Sequence, residues 1–123
     1  VYKRIVTVPA DTDTTIANFS STVGASDGAL DVEDVKYIRV TNLDSSNSVN
    51  LSLQVDAGED DSAADESCTI LLEAGKSFIM GTPSDSVAVS DADATIVTTL
   101  HNLESILVDS LTNAVKLEIF IAS

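Results

Sequence analysis

The sequence predicts an all-β fold, a two-layer sandwich. Three observations carry that expectation. Apolar and polar residues alternate strictly over several stretches, turn-forming Gly, Asn, Asp and Ser residues separate those stretches, and the apolar content is aliphatic. Period two is the mark of a strand with one face buried. Hydrophobic residues make up 44% of the chain but aromatics only 4%, and Trp is absent, so Val, Ile, Leu and Ala must build the core. A chain of 123 residues suits one domain. At this size folding buries about two-thirds of the unfolded surface, enough for one real core.

The elements follow in order. Residues 3–8 (KRIVTV) read as an opening strand stopped by Pro9, and 15–20 (TIANFS) as a second strand. The segment 23–34 (VGASDGALDVED) is a connector. Residues 35–42 (VKYIRVTN) form a strand, and the turn-rich 43–48 (LDSSNS) predicts a hairpin into 49–57 (VNLSLQVDA). There Val49, Leu51, Leu53, Val55 and Ala57 point one way, and Asn50, Ser52, Gln54 and Asp56 the other. Residues 67–73 (SCTILLE) and 76–81 (KSFIMG) flank Ala74-Gly75, a second tight hairpin turn. After a break at 81–85 (GTPSD), 86–89 (SVAV) and 104–110 (ESILVDS) are further strands, and 111–113 (LTN) turns the chain into the last. In that last strand Val115, Leu117, Ile119 and Ile121 oppose Lys116, Glu118 and Phe120.

One stretch reads two ways. In 93–103, Ile96, Leu100 and Leu103, with Leu107 beyond, fit a helical stripe that Asp93 would cap, but TIVTT is rich in β-branched residues. A strand followed by a loop is preferred. About eight short strands at regular spacing suggest a jelly roll. The alternative is an immunoglobulin-like sandwich, for which the paired Cys and the Trp are missing. Residues 1–15 are set apart as an N-terminal strand or arm, and 16–123 as the sandwich.

Charge narrows the partners. Twenty Asp and Glu against six Lys and Arg leave a net charge of −14. Such a polyanion is repelled by phosphate backbones and by anionic membranes, so neither nucleic acid nor a membrane is expected as the ligand. Self-repulsion on this scale weakens as salt screens it, which suits a saline setting. No apolar run approaches the ~20 residues that span a bilayer, and the start (VYKRIVTV) is too broken by charge for a signal peptide. Synthesis in a cytoplasm is the expectation.

Catalytic constellations are not found. His101 is the only histidine, and no Gly-x-Ser-x-Gly elbow or Gly-rich phosphate loop occurs. The acids sit mainly in turns and loops, without the aromatic platforms of a sugar-cleaving cleft. Cys68 is the only cysteine and reads as a buried structural thiol, and one His with one Cys cannot build a zinc site. No enzyme activity and no resident cofactor are expected. Calcium is the one ion to weigh. Asp11 and Asp13 form a D-x-D pair, Asp91 and Asp93 another, and 56–66 (DAGEDDSAADE) gathers further acids. Loop carboxylates are the right chemistry for Ca²⁺, but none of these segments has the EF-hand pattern, and solvated turn acids are the default.

The stretch KYIRVTNLDSSNSVNLSLQV, followed by CTILLEAGKSFIMG, resembles small phage virion structural proteins of the capsid cement or decoration type. An I-x-V-x-N strand leads through a polar turn into an alternating strand, and an L-x-A-G-x-S hairpin follows. The ending ESILVDSLTNAVKLEIFIAS is similar to the paired closing strands of such proteins. The resemblance runs from Val35 onward and rests on β-hairpin motifs. It implies a capsid- or tail-associated β-sandwich in the virion, trimeric or otherwise symmetric, whose partner is the major capsid protein or another virion protein. On that implication Tyr2, Lys3, Arg4 and Ile5 are the partner-binding residues, docking on an acidic shell or adding a strand to a neighbour's sheet. Lys3 and Arg4 read equally well as edge-strand charges that block unwanted pairing. A receptor- or glycan-binding knob of a tail or fibre is the rival role, although Tyr2 and Tyr37 are the only tyrosines available to a sugar site.

Overall fold

The computed structural model describes residues 1–20, 30–56, 66–90 and 96–123, without the side chain of Ser20. Nine strands are formed: β1 (Tyr2–Val8), β2 (Asp13–Ser20), β3 (Leu30–Asp31), β4 (Tyr37–Asn42), β5 (Val49–Asp56), β6 (Glu66–Leu72), β7 (Ser77–Met80), β8 (Asn102–Asp109) and β9 (Val115–Ala122). They make a four-stranded sheet, β1-β9-β4-β7, and a five-stranded sheet, β3-β2-β8-β5-β6. No helix occurs among the described residues. This is the all-β sandwich that the alternation predicts.

Alternation produces the two layers directly. β5 buries Val49, Leu51, Leu53 and Val55, while β9 buries Val115, Leu117, Ile119 and Ile121, in both cases every second residue. Ile38 and Val40 of β4 and Leu103, Ile106 and Val108 of β8 join the same cluster between the sheets. Each such side chain contributes about 1.5–3 kcal/mol relative to full exposure. Aliphatic side chains fill the interior, with Phe19 as its one buried aromatic.

The pairing follows a nested order once the two-residue β3 is set aside. β1 pairs with β9, β2 with β8, β4 with β7 and β5 with β6, all antiparallel. The chain is thus a long folded ribbon, rolled so that β4 also meets β9 and β5 also meets β8. Residues 1–15 are built into the sandwich. They supply β1, in continuous register with β9, and the start of β2.

Several expectations are corrected by this rolling. The 43–48 turn does not close a hairpin, because β4 and β5 lie in different sheets. The same holds for the Ala74-Gly75 turn between β6 and β7, and for the closing strands β8 and β9. A turn sequence reverses the chain whether the next strand pairs with the last or crosses to the facing layer, and both outcomes bury one face. What holds the first two corners is Asn42, which is fully buried. Its backbone amide donates to the Lys76 carbonyl (2.9 Å), and its own carbonyl accepts from the Gly75 amide (3.0 Å). Its side-chain Nδ2 donates to the carbonyls of Asn47 (2.9 Å) and Leu72 (3.1 Å), and its Oδ1 accepts from the Asp44 amide (2.9 Å). Gly75, at φ 74°, takes the left-handed conformation that the turn closed by Lys76 N and Glu73 O requires. The I-x-V-x-N and L-x-A-G-x-S motifs are therefore two halves of one double corner.

The segment 86–89 is not a strand: its one ladder contact is the bridge Val87–His101. Of 93–103, residues 93–95 lie outside the described part, and 96–100 are neither strand nor helix, with Ile96 91% exposed. With no buried face for the β-branched run to cover, local preference alone does not hold a strand. β3 falls within the presumed connector and pairs parallel with the end of β2. Cys68 is exposed, not buried, because β6 is an edge strand and no described residue covers it.

Candidate protein-interaction face

The position of the cations defines the site. All six of the chain's Lys and Arg residues lie on strands of the four-stranded sheet or immediately before one: Lys3 and Arg4 on β1, Lys36 and Arg39 at β4, Lys76 before β7, Lys116 on β9. The strands of this sheet hold a single acid, Glu118. The strands of the five-stranded sheet carry Asp13, Asp31, Asp56, Glu66, Glu104 and Asp109 and no cation.

Register builds the outer face of the four-stranded sheet row by row. Lys3 sits opposite Phe120, Phe120 opposite Arg39, and Arg39 opposite Ile79. The next row runs Ile5, Glu118, Thr41, Ser77. The Arg39 guanidinium lies 5.1 Å from the Phe120 ring centroid and bonds the Glu118 carboxylate at 3.0 Å. Tyr37 meets Phe120 edge-on at 5.9 Å. These contacts hold an amphipathic centre together while Ile5 (61%) and Ile79 (57%) stay exposed on either side. Lys3 and Lys116 have no ion-pair partner among the described residues. Aromatic, arginine and aliphatic groups with unpaired cations at the margin are the composition of a protein-binding surface.

The four N-terminal candidates divide. Lys3 and Ile5 are exposed on this outer face. Tyr2 packs against the core. Arg4 turns inward over the Tyr2 ring (5.6 Å) and donates to the Ile16 carbonyl at 2.9 Å. Ile16 occupies a bulge in the β2–β8 ladder, where the extra residue has no cross-strand partner. Arg4 therefore closes one rim of the sandwich by satisfying that carbonyl. Arg39, Ile79, Lys116 and Phe120 were not singled out from sequence, and Tyr37 was weighed only for a sugar site. The signal was Phe120, a large aromatic on the polar side of an alternating strand.

Among the described residues no three His, Cys, Asp or Glu side chains come together to hold a metal ion. Asp13 stands opposite Asp109, whose carboxylate accepts the Leu111 amide (2.8 Å), while the Asp11 amide bonds the Leu111 carbonyl (2.7 Å). Asp91 and Asp93 lie outside the described residues, as do 57–65 of the acidic loop. His101 joins Val87 through backbone hydrogen bonds. The outside of the five-stranded sheet has a shallow groove of about 250 Å³, where Asn50, Ser52, Gln54 and Thr69 meet Asp13 and Asp109 over Leu107 and Val108. No described helix is long and apolar enough to cross a membrane. Comparison with protein-family models, curated proteins and solved structures gives no match.

Proposed function

We propose that this chain is a virion structural protein, a jelly-roll subunit that cements or decorates a phage capsid. The nested pairing supports the jelly-roll assignment, since that fold is an eight-stranded, double-Greek-key sandwich used in viral capsid domains. One observation carries the functional reading: every cation lies on or immediately before a strand of one sheet of an otherwise acidic molecule, and the outer face of that sheet carries exposed Ile5 and Ile79 beside half-buried Tyr37 and Phe120. A subunit that works by contact needs a rigid body, one adhesive face and a solvated remainder. The subunit acts without catalysis or cofactor, as a symmetric homo-oligomer (a trimer) bound to the major capsid protein. Mass spectrometry of gradient-purified particles tests this. The subunit should co-sediment in fixed stoichiometry to the shell protein, and its absence from particles would end the reading.

The polar groove on the five-stranded sheet favours one alternative, a glycan-binding knob. Its amide, hydroxyl and carboxylate groups suit sugar hydroxyls, although no aromatic lines it. Selective binding on a glycan array, lost in Gln54→Ala, would promote that role.

A further inference from the structure

We infer that the outer face of the four-stranded sheet seats on an acidic protein surface, so that this sheet faces the shell and the five-stranded sheet faces solvent. This inference rests on the virion reading above and assigns its partner's chemistry and the subunit's orientation.

The charge segregation is the first argument. A chain of net −14 has six cations, and they could lie anywhere, yet none falls on the five-stranded sheet or in its connections away from the other layer. Arg4 is committed to the Ile16 carbonyl, Lys36 Nζ to the Glu33 carbonyl (2.9 Å), and Arg39 to Glu118. Of the remaining three, Lys76 lies in the turn before β7, while Lys3 and Lys116 lie on strands at the margin of the face, available to carboxylates from outside. The second argument is the apolar content between them. Ile5 and Ile79 flank the Phe120–Arg39 stack, and burying such side chains drives association between proteins.

Two other occupants fit less well. Nucleic acid is held by a run of cations neutralising successive phosphates. Here Glu118 sits in the middle of the face, apolar side chains separate the lysines, and the rest of the molecule repels a polyanion. A second copy, face to face, would bring two more lysines to a face whose one strand acid, Glu118, is already paired with Arg39, so the added cations would find no free carboxylate on its strands. Stacking this face on the next copy's opposite sheet is heterologous, and because the two faces lie on opposite sides of the sandwich the copies run on in a line, which builds fibres and not a bounded coat.

The test uses the full chain and virus particles stripped of it. Wild-type protein should rebind, and binding should weaken as salt rises. Lys3→Glu/Lys116→Glu should bind at least about tenfold more weakly, as charge complementarity at an interface demands. Asp13→Asn/Glu66→Gln, on the other sheet, should bind like wild type. Thermal melts confirm that both variants fold, and Lys3→Gln/Lys116→Gln gives an intermediate loss that excludes misfolding as the cause. Carbodiimide treatment of the rebound particles joins an amine to a touching carboxylate as an amide. The expected products link Lys3 or Lys116 to Asp or Glu of the shell protein. If wild type rebinds but the reversed variant binds equally, or the links run from this chain's acids to shell lysines, the inference is overturned while the virion reading stands. If wild type does not rebind at all, both fall. Binding to duplex DNA that matches the affinity for particles would likewise overturn the choice of a protein partner.

Discussion

The two sheets share an interior and differ in their exteriors. Inside, both present Val, Ile and Leu to the same cluster at every second position, and neither sheet would be stable without the other's apolar face. Outside, the five-stranded sheet is a mainly polar, acidic surface of Asn, Ser, Gln, Thr and Asp, with half-buried Leu107 in its middle and exposed Leu71 at its edge. The four-stranded sheet instead displays Tyr37, Arg39, Phe120, Ile5 and Ile79, ringed by lysine. Interior packing sets the fold, and it leaves the outward positions of each strand free to specialise. The difference lies in those positions alone.

Substitutions separate the shared part from the specialised part. Leu117→Ala, in the common core, should cost about 2–5 kcal/mol and lower stability without regard to salt. Urea denaturation measures it, and a cost under about 1 kcal/mol would show that the sheets do not depend on one packed interior. Asn42→Ala follows at about 2–4 kcal/mol, because it strips hydrogen bonds from the carbonyls of Asn47 and Leu72 inside the double corner joining the two layers. Arg4→Met keeps the side-chain stem but leaves the Ile16 carbonyl unpaired at the rim, an expected loss of about 1–2 kcal/mol.

The exterior changes are smaller. Lys3→Glu/Lys116→Glu replaces a positive by a negative charge at each site and takes the net charge from −14 to −18. Its stability should stay within about 0.5 kcal/mol of wild type in 0.5 M salt and drop further at low salt, where repulsion is unscreened. The smallest effect concerns the corner carboxylate. The amides of Ser46 and Asn47 donate to Asp44 and hold its pKa below the usual value of 3.8. A folded-state pKa below the unfolded one means a contribution present above the unfolded value and lost as pH falls through the folded one. Asp44→Asn should therefore be slightly less stable than wild type at pH 7, and the gap should close below that acidic window. A gap that widens in acid would contradict the assignment.

Much of the interior was legible in the sequence. Strict alternation in 49–57 and 114–122 located two central strands, and Val49, Leu51, Leu53, Val55, Val115, Leu117, Ile119 and Ile121 are buried as it predicts, while Ala57 lies outside the described residues. The partnering of strands was not legible. LDSSNS and EAGKS reverse the chain with ordinary turn chemistry, and whether the next strand pairs or crosses depends on Asn42 meeting residues thirty or more positions away. The run TIVTT has strand-forming residues but no layer to cover at Ile96, so composition misled. As for the candidate face, Lys3 and Ile5 were visible as exposed edge residues. Its centre was not, because Tyr37, Arg39 and Phe120 meet only through the β4–β9 register, which links residues about eighty positions apart.

The central claim is that one sheet adheres and the other faces solvent. A cryo-electron microscopy reconstruction of the intact particle reads that orientation directly. The account predicts density for β1, β9 and β4 against the shell, with Phe120 and Arg39 covered and the Asn50–Gln54 side of the sandwich in solvent. A subunit seated through the five-stranded sheet, leaving Ile5, Ile79 and Phe120 bare, would contradict it.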